Sequence, residues 1–403
     1  MDIKTAFFLA LNSIKRGNKG TLIMTILIMT LAYVNLVFVS SIFGGIVESI
    51  NQQSIDYQYA NIVIEPALDD RYIDNKEAMD LIDSIPGVVG SSRHYIDNPV
   101  IDYDEFRDGK GVKSGRWVLK SIVPEDEKKV TNIYQAVIEG SYLDEKDTNQ
   151  ILIGKEVAGG HGGDLDHLSL GVSVGGKIYV NYRNGIRRQY EVKGIFSTKS
   201  TAIDQTVFVT KKEMESVLKI SNQASEILVK TQDIGNENIY IEEIRSLGFK
   251  NEDIKKWNDL MGFTSGASSS FNMISIILGV IGTFVAGITI FIIIFVSVVN
   301  KRKQIGILKA IGMTRGTIVL HFVIQALFYA ILGIIIGISI ILFAIRPYFL
   351  SNPLDFPVGW VSLKVTFNII RVSNISLMVA ALIGGFFPAY RGAKESILKS
   401  IWG

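Results

Sequence analysis

The sequence predicts a membrane α-helical protein with four transmembrane helices and a large extracytoplasmic α+β domain inserted between the first and second spans. Three observations lead to this fold class. The chain has 403 residues, 48% of them hydrophobic, and its mean hydropathy of +0.30 is high for a soluble protein of this length. The apolar residues are concentrated in four long stretches. The basic and acidic residues are distributed unequally between the segments that separate these stretches.

Four stretches of the chain are apolar enough to cross a bilayer. No Asp, Glu, Lys or Arg occurs within residues 21–47, 260–300, 317–345 or 372–390. A helix needs about 20 apolar residues to cross the hydrocarbon core. We therefore expect transmembrane helices at residues 21–47, 266–300, 317–345 and 371–390.

The Lys and Arg residues predict on which side of the membrane each segment lies. Basic residues are in excess in residues 1–20, 301–316 and 391–403, whereas acidic residues are in excess in residues 48–265. Short basic loops stay in the cytoplasm, while long domains are translocated largely regardless of charge. Both termini and the 301–316 loop are therefore expected on the cytoplasmic side of the cell membrane. The large domain and the short loop 346–370 are expected outside.

The start of the chain predicts an amphipathic helix followed by an uncleaved first span. Apolar residues recur at helical spacing in residues 2–16, and such a helix would lie at the cytoplasmic membrane interface within residues 1–20. A disordered leader is the alternative. The apolar stretch that follows is longer than the 7–15 residues of a signal-peptide core, and no A-x-A site follows it.

Residues 48–265 alternate between strand-like and helix-like patterns, which predicts an α+β domain in two lobes. Strands are expected at 60–65, 117–123, 151–154, 173–182, 189–196, 206–210 and 226–231, and helices at 74–85, 211–219 and 236–247. Asp74 is the expected N-cap of the first helix, with Glu77 three residues after it. Small residues at 262–270 predict a linker to the second span. His94 is expected to be a surface or partly buried residue of this domain.

Small residues within the spans predict close packing between the transmembrane helices. These residues are Gly282 in the second span, Gly333 and Gly337 in the third, and Gly384 and Gly385 in the fourth. His321 is the one titratable group in the third span. Charged groups inside a membrane usually mark ion or proton pathways. Their scarcity argues against a secondary transporter and against a polar substrate tunnel.

The segment between the second and third spans carries the most informative motif. It reads NKRKQIGILKAIGMTR from Asn300 to Arg315, basic at its start, then amphipathic, then broken at Gly312. Ile305, Leu308 and Ile311 share one helical face. From composition alone, an ordinary basic membrane anchor fits as well.

The string RKQIGILKAIGMTRGTI is similar to the cytoplasmic loop of MacB/FtsX-type ABC transporter permeases, which include lipoprotein-releasing and macrolide-export types. Gln304 stands where the family usually has Glu, and Met313 where Ala is common. FPAYRGA at 387–393 resembles the exit from the family's last span. QAVIEGSYLDEKDTNQILIG at 135–154 and YEVKGIF at 190–196 resemble its outer domain. An Asp-Pro that the family often has near the C terminus is missing here.

The resemblance implies that the 301–316 loop is a coupling helix docking on a separate ATPase subunit. Basic residues at its start would steer it to an acidic surface, and Ile305, Ile307, Leu308 and Ile311 would make apolar contacts. The coupling-helix residues are Lys301, Arg302, Lys303, Gln304, Ile305, Gly306, Ile307, Leu308, Lys309, Ile311 and Gly312. Such permeases work as homodimers or heterodimers, and ATP binding moves their outer domains without passing substrate through the membrane.

The chain itself is expected to bind no cofactor or metal and to have no enzymatic activity. A phosphate-binding loop needs G-x-x-x-x-G-K followed by Ser or Thr, and none of the Gly-Lys pairs at 109–110, 154–155 and 176–177 has either residue next. ATP and Mg are therefore expected on the partner ATPase. The other expected partners are a second permease copy, membrane lipid, and an envelope adaptor or lipoprotein. No nucleic acid is expected.

Three further patterns have plainer explanations. Ser173 lies in a G-x-S-x-G sequence, but a strand is expected after it, whereas a nucleophile elbow requires a helix. His161, Asp164, Asp166 and His167 are metal-ligand types, but their glycine-rich segment imposes no geometry. The glycosylation sequon at 374–376 falls within the fourth span. The chain contains no Cys, which excludes thiol catalysis and thiolate metal sites.

Several functions remain open at the level of the sequence. The transporter hypothesis allows extraction of lipoproteins or lipids, export of a peptide or small molecule, and relay of an ATP-driven signal to an envelope enzyme or sensor. The alternatives from other classes are a membrane-anchored structural or adhesion domain and a membrane-bound hydrolase that uses Ser173.

Overall fold

The computed structural model describes residues 3–16, 19–67, 72–74, 77–105, 111–162, 165–249, 253–356 and 359–396. The chain divides into two compact units. The membrane unit comprises Met1–Val47, Ser269–Leu354 and Val361–Gly403, and the α/β unit comprises Glu48–Ser268 and Asp355–Trp360. Residues 17–18 and 397–403 are among those outside the described residues.

The helices of the described residues include four long ones that follow the apolar stretches of the sequence. The helices are α1 (Ile3–Arg16), α2 (Lys19–Gln53), α3 (Glu77–Asp83), α4 (Pro124–Val130), α5 (Lys155–Ala158), α6 (Lys211–Leu218), α7 (Glu237–Ser246), α8 (Trp257–Leu260), α9 (Gly262–Asn300), α10 (Arg302–Ala310), α11 (Arg315–Ile340), α12 (Arg346–Ser351) and α13 (Phe367–Lys394). The four long ones are α2, α9, α11 and α13. Wider π-helical turns continue α2 over Ser54–Tyr59 and α11 over Ile341–Ile345.

Four helical stretches within the described residues are long and apolar enough to cross a membrane. They run over Lys19–Tyr59, Ser269–Asn300, Arg315–Ser351 and Phe367–Lys394. The predicted linker at 262–270 is helical, because α9 begins at Gly262, and the boundary between the two units falls within it, between Ser268 and Ser269. Gly and Ser have low helix propensity, but they form the first turns of a helix that the following apolar residues continue. The last stretch likewise begins four residues before the predicted position.

Close contacts at glycine hold the long helices of the membrane unit together. A Cβ atom added to Gly333 would lie 2.8 Å from Met29 Cβ, and one added to Gly337 would lie 2.5 Å from the Tyr33 ring. Both glycines therefore let α11 approach α2. A Cβ atom added to Gly282 would lie 2.9 Å from Leu36, one added to Gly384 would lie 2.6 Å from the Gly287 carbonyl oxygen, and one added to Gly385 would lie 2.8 Å from Ala326. Each of the five glycines thus lies where two helices meet.

One polar contact supplements this packing. The Tyr33 hydroxyl donates a 2.7 Å hydrogen bond to Asn374 Oδ1 and so joins α2 to α13. Hydrogen bonds of this kind are the usual polar link between transmembrane helices. Asn374, which belongs to the dismissed sequon, therefore has a packing role.

The strands of the α/β unit form two main sheets within the described residues. The strands are β1 (Ile62–Glu65), β2 (Ile73–Asp74), β3 (Val88–His94), β4 (Ile96–Asp97), β5 (Val100–Tyr103), β6 (Lys113–Arg116), β7 (Val118–Ile122), β8 (Val137–Gly140), β9 (Gln150–Gly154), β10 (Lys177–Asn181), β11 (Arg187–Phe196), β12 (Thr206–Thr210), β13 (Gln223–Ala224), β14 (Glu226–Thr231), β15 (Asp253–Lys256), β16 (Leu354–Phe356) and β17 (Gly359–Val361). The small sheet has the order β15-β1-β14-β3. The large sheet has the order β4-β7-β12-β9-β11-β10-β5-β6, with β8 paired to β11.

Each sheet has its own hydrophobic core. Helices α3 and α7 cover the small sheet, with Ile82 and Ile244 fully buried against Ile62 and Ile227. The large sheet buries a separate cluster, to which α6 contributes Met214. The predicted N-cap Asp74 is wrong, because this residue ends β2 and α3 begins at Glu77.

Candidate functional site

Helix α10 connects the second and third candidate spans and ends in a sharp turn. The backbone N–H of Gly312 donates to the carbonyl of Lys309, and that of Met313 donates to the carbonyl of Leu308, both at 3.1 Å. This is the Schellman pattern of helix termination. It requires a left-handed residue, and Gly312 has φ +95°, where any side chain would be strained. Thr314 then caps α11 by accepting from the Thr317 N–H.

The apolar residues of α10 point in two directions. Ile305 is only 3% exposed and packs into the core of the membrane unit near Ile318 and Phe322. Ile307 and Ile311 are 54% and 79% exposed. The sequence places Ile305 on one face with Ile311, so that grouping is wrong. Ile305 anchors the helix, while Ile307 and Ile311, four residues apart, present an apolar surface.

The basic residues of α10 also divide into two sets. Lys301 Nζ donates to the Ser13 hydroxyl on α1, and Arg302 Nε lies 2.6 Å from Glu395 Oε2. Lys309 Nζ donates to the carbonyl of Ala393 at 3.0 Å and to the carbonyl of Glu395. Lys303, next to Gln304, is exposed.

Sequence reasoning missed the partners of these basic residues. Glu395 is the one acid among residues 391–403, and this isolation within a basic tail is the signal that points to it. Ser13 carried no comparable signal.

Leu308 is half-buried and lines a small cavity of about 30 Å³ together with Leu9 and His321.

A larger apolar groove lies on the membrane unit. Its volume is about 770 Å³, and it is lined by side chains of α2, α9 and α13, including Leu36, Phe284 and Phe387. Polar residues line it too: Asn272, Ser275, Thr283, Ser373 and Ser376. Such a groove can accept a lipid chain or a helix of another subunit.

The α/β unit contains a buried cluster of four charged side chains. His94 Nε2 lies 2.6 Å from Glu127 Oε2, and His94 Nδ1 lies 2.9 Å from Glu226 Oε1. Lys120 Nζ lies 2.7 Å from the same Glu226 oxygen. His94 is 1% exposed, so the prediction of a surface or partly buried residue is wrong. The cluster joins β3 and β14 of the small sheet to β7 of the large sheet and to α4.

The charges of this cluster stabilise one another. Burial by itself lowers the pKa of His94, but the charges and hydrogen bonds of Glu127 and Glu226 outweigh it and raise the pKa from 6.5 to about 9. Burial alone would raise the pKa of Glu226, but Lys120 and His94 lower it from 4.5 to about 2. Two positive and two negative charges therefore compensate one another at neutral pH.

Part of this cluster has the residue types of a hydrolase triad. Ser92 Oγ is 3.3 Å from His94 Nε2, and a carboxylate lies at the other ring nitrogen. However, Glu127 holds Nε2 at the shorter distance of 2.6 Å, and Ser92 is fully buried. A nucleophile needs both a free base and access to substrate. The cluster is therefore structural.

The remaining sequence patterns are placed as follows. Ser173 is exposed in a turn, and the strand β10 follows it, as expected. His161 Nδ1 lies 3.7 Å from Glu139 Oε1. Asp164 lies outside the described residues, and the described residues contain no group of three or more His, Cys, Asp or Glu arranged to hold a metal.

Two family models match most of the chain. The MacB-like periplasmic core domain matches residues 22–247, and the FtsX-like permease C-terminal domain matches residues 276–397. The matched ranges contain the strands of both main sheets except β15, together with helix α10 and the last two spans.

The chain is also similar to individual ABC transporter proteins. It is 32% identical over 124 residues to the macrolide export ATP-binding/permease protein MacB of Campylobacter jejuni, covering 30% of this chain and 18% of that protein. It is 27% identical over 254 residues to the uncharacterized ABC transporter permease YknZ of Bacillus subtilis, covering 54% and 61%. A permease of Methanocaldococcus jannaschii, MJ1507, is 28% identical over 200 residues, covering 49% and 45%. The chain thus matches less than two thirds of each relative's length.

Two solved structures resemble about half of the chain distantly. The periplasmic region of MacB from Actinobacillus actinomycetemcomitans has a TM-score of 0.38 and 11% identity, covering 54% of this chain and 98% of that one. The extracellular domain of YknZ from Gram-positive bacteria has a TM-score of 0.35 and 14% identity, covering 49% and 97%. Both scores lie below 0.5, so the family assignment rests on the two sequence models.

Proposed function

This chain belongs to the family of ABC transporter permeases with a MacB-like periplasmic core domain and an FtsX-like C-terminal domain, and on that premise we propose that it couples ATP hydrolysis to mechanical work. A separate ATPase subunit would bind and hydrolyse ATP with Mg. The permease would transmit the closure of the ATPase to the α/β unit, without a substrate path through the spans.

The exposed side of α10 is the observation that carries this proposal. Ile307 and Ile311 are exposed, Lys303 stands beside them, and Ile305 anchors the helix in the membrane unit. Proteins commonly dock by placing the apolar face of a helix in a groove of the partner protein. A protein whose spans only anchored a structural or adhesion domain would have no use for such a surface.

The orientation of the chain in the membrane is part of the proposal. The excess of Lys and Arg at both termini and around α10 favours a cytoplasmic position for all three segments. The α/β unit would then lie outside the cell membrane. Because the chain has no natural Cys, a membrane-impermeant maleimide should label Lys212→Cys in intact cells and leave Lys303→Cys unmodified.

A second permease copy is the proposed occupant of the groove on the membrane unit. The groove contains Asn272, Ser275 and Thr283 on α9, and polar side chains in the bilayer usually face protein rather than lipid. A homodimer or a heterodimer with a related permease would cover them.

The transported or regulated molecule is proposed only by class. Extraction of a lipoprotein or lipid and export of a peptide or small molecule both fit a permease with a large outer unit. The C. jejuni relative is named for macrolide export. A signal relay to an envelope enzyme or sensor is the second candidate. An envelope adaptor or lipoprotein is the corresponding partner.

A co-purification experiment tests the docking surface. Ile307→Glu combined with Ile311→Glu should abolish binding of the ATPase encoded nearest to this chain, because each change puts a charge into an apolar contact. Lys4→Glu, an exposed charge change on α1, is the control and should leave binding intact. Normal binding by the double variant would contradict the proposal.

A further inference from the structure

Helix α10 is attached to the end of the fourth span as well as to the two spans that it connects. Arg302 Nε and Glu395 Oε2 are 2.6 Å apart, and both side chains are about one third exposed, at 31% and 32%. Lys309 Nζ donates to the carbonyls of Ala393 and Glu395. Three contacts thus converge on two residues at the end of α13, Ala393 in its last turn and Glu395 directly after it.

The spacing of these residues explains why both reach the same segment. Arg302 and Lys309 are seven residues apart, which is close to two helical turns, so they share one side of α10. The last carbonyls of α13 have no partner within their own helix. The Lys309 ammonium satisfies two carbonyls at this end, where a positive charge also interacts favourably with the helix dipole.

The end of α13 is itself packed against the end of α9 and shares a buried core with α10. A Cβ atom added to Gly392 would lie 2.3 Å from Val298 Cγ1 on α9, and Ala389 and Ala393 are buried in the same core as Ile305. Pro388 lies in α13 just before this segment and cannot donate to the carbonyl four residues earlier. The last turns of α13 are thus bonded to α10 but joined to the rest of their helix at a weakened position.

We propose that Glu395 is a positioning residue of the coupling site. With the Ala393 carbonyl it forms a clamp on Arg302 and Lys309, so that a displacement of α10 is transmitted to the fourth span as well as to the second and third. Arg302 then belongs to the internal machinery, while Lys303 remains available to a partner. This inference rests on the proposed function, because it concerns the route by which a docked ATPase would move the spans.

Charge exchange separates the clamp from a direct docking role of Arg302. Arg302→Glu and Glu395→Arg each break the ion pair, and the double variant restores it with reversed charges. Lys4→Glu is the control, because it reverses one positive charge on an exposed side chain of α1, outside α10 and the end of α13. All variants are prepared as full chains in lipid nanodiscs with the ATPase encoded nearest to this chain.

The first readout is ATP hydrolysis by complexes that still assemble. Each single clamp variant should bind the ATPase but lower permease-dependent hydrolysis about fivefold, the equilibrium factor that corresponds to roughly 1 kcal/mol. The double variant should recover most of the activity. Loss of ATPase binding in Arg302→Glu, with no effect of Glu395→Arg and no rescue, would overturn the clamp and make Arg302 a docking residue.

The second readout needs no ATPase. Spin labels at Lys303→Cys and Lys394→Cys report the distance between α10 and the end of α13. Glu395→Arg should broaden or shift the distance distribution, and the charge-exchanged double variant should restore it. An unchanged distribution in Glu395→Arg would overturn the clamp. Failure of the wild-type chain to bind any ATPase would instead count against the proposed function, while the distance measurement would still decide on the clamp.

Discussion

At the scale of single residues, the buried cluster around His94 is the feature furthest from what the sequence predicts. His94, Lys120, Glu127 and Glu226 come from four different elements, and nothing in their spacing along the chain brings them together. The hydroxyls of Ser92 and Thr131 satisfy Glu127 further. Removing one member of a buried ion pair costs about 3–5 kcal/mol, because the remaining charge is left without compensation.

The pKa shifts in this cluster predict how the stability of the α/β unit depends on pH. The pKa of His94 is raised in the folded state to about 9, so its contribution is fully present below pH 6.5 and is lost as the pH rises through 9. The pKa of Glu226 is lowered to about 2, so its contribution is present above pH 4.5 and is lost as the pH falls through 2. Lys120 and Tyr59 also face the cluster, and the pKa of each is raised.

Thermal unfolding of the full chain, followed by tryptophan fluorescence, measures this dependence. The midpoint temperature of unfolding should decrease as the pH is raised from 6 to 9.5. The decrease should correspond to a loss of unfolding free energy on the order of 3 kcal/mol. His94→Gln should lower the midpoint at pH 6 and flatten the alkaline decline, since the other groups still titrate. A decline of equal slope in the variant would show that His94 does not cause it.

At the scale of elements, the sequence predicts α10 and the long helices well because their signals are local. Apolar runs, basic flanks and the glycine at 312 all lie within the elements that they define or directly beside them. The inward orientation of Ile305 was not predictable, because it depends on contacts with Ile318 and Phe322 on another helix. Strand β6 was missed for the related reason that its sequence KSGR has no apolar alternation and the strand is defined by pairing with β5.

Packing at Gly333 provides a prediction at this scale. Gly333→Ala should destabilise the membrane unit by about 1–3 kcal/mol through overpacking, since the new methyl group would meet Met29 Cβ at 2.8 Å and its backbone carbon at 3.0 Å. Gly279→Ala is the matched control, because a Cβ there meets nothing within 4 Å. Unfolding in detergent compares the two, and equal stability would contradict the close approach of α2 and α11.

At the scale of the whole molecule, the order of the elements carried most of the prediction. One span, a large α+β region and three spans follow from hydropathy, and the two family models match the same arrangement. Neither the partner of Arg302 nor the partners of His94 follow from hydropathy, because Glu395 is 93 positions from Arg302, and Glu127 and Glu226 are 33 and 132 positions from His94. Prediction from sequence therefore reaches the architecture, but not the bonding of α10 or of the His94 cluster.

The central claim is that ATP hydrolysis on a partner moves the α/β unit. A single Lys212→Cys spin label provides the test, because the natural chain has no Cys and a homodimer then carries one label pair. In nanodisc complexes with the ATPase, we predict that ATP and Mg change the distance between the two labels. We also predict that Ile307→Glu with Ile311→Glu abolishes this change. An unchanged distance while the wild-type complex hydrolyses ATP would contradict the account.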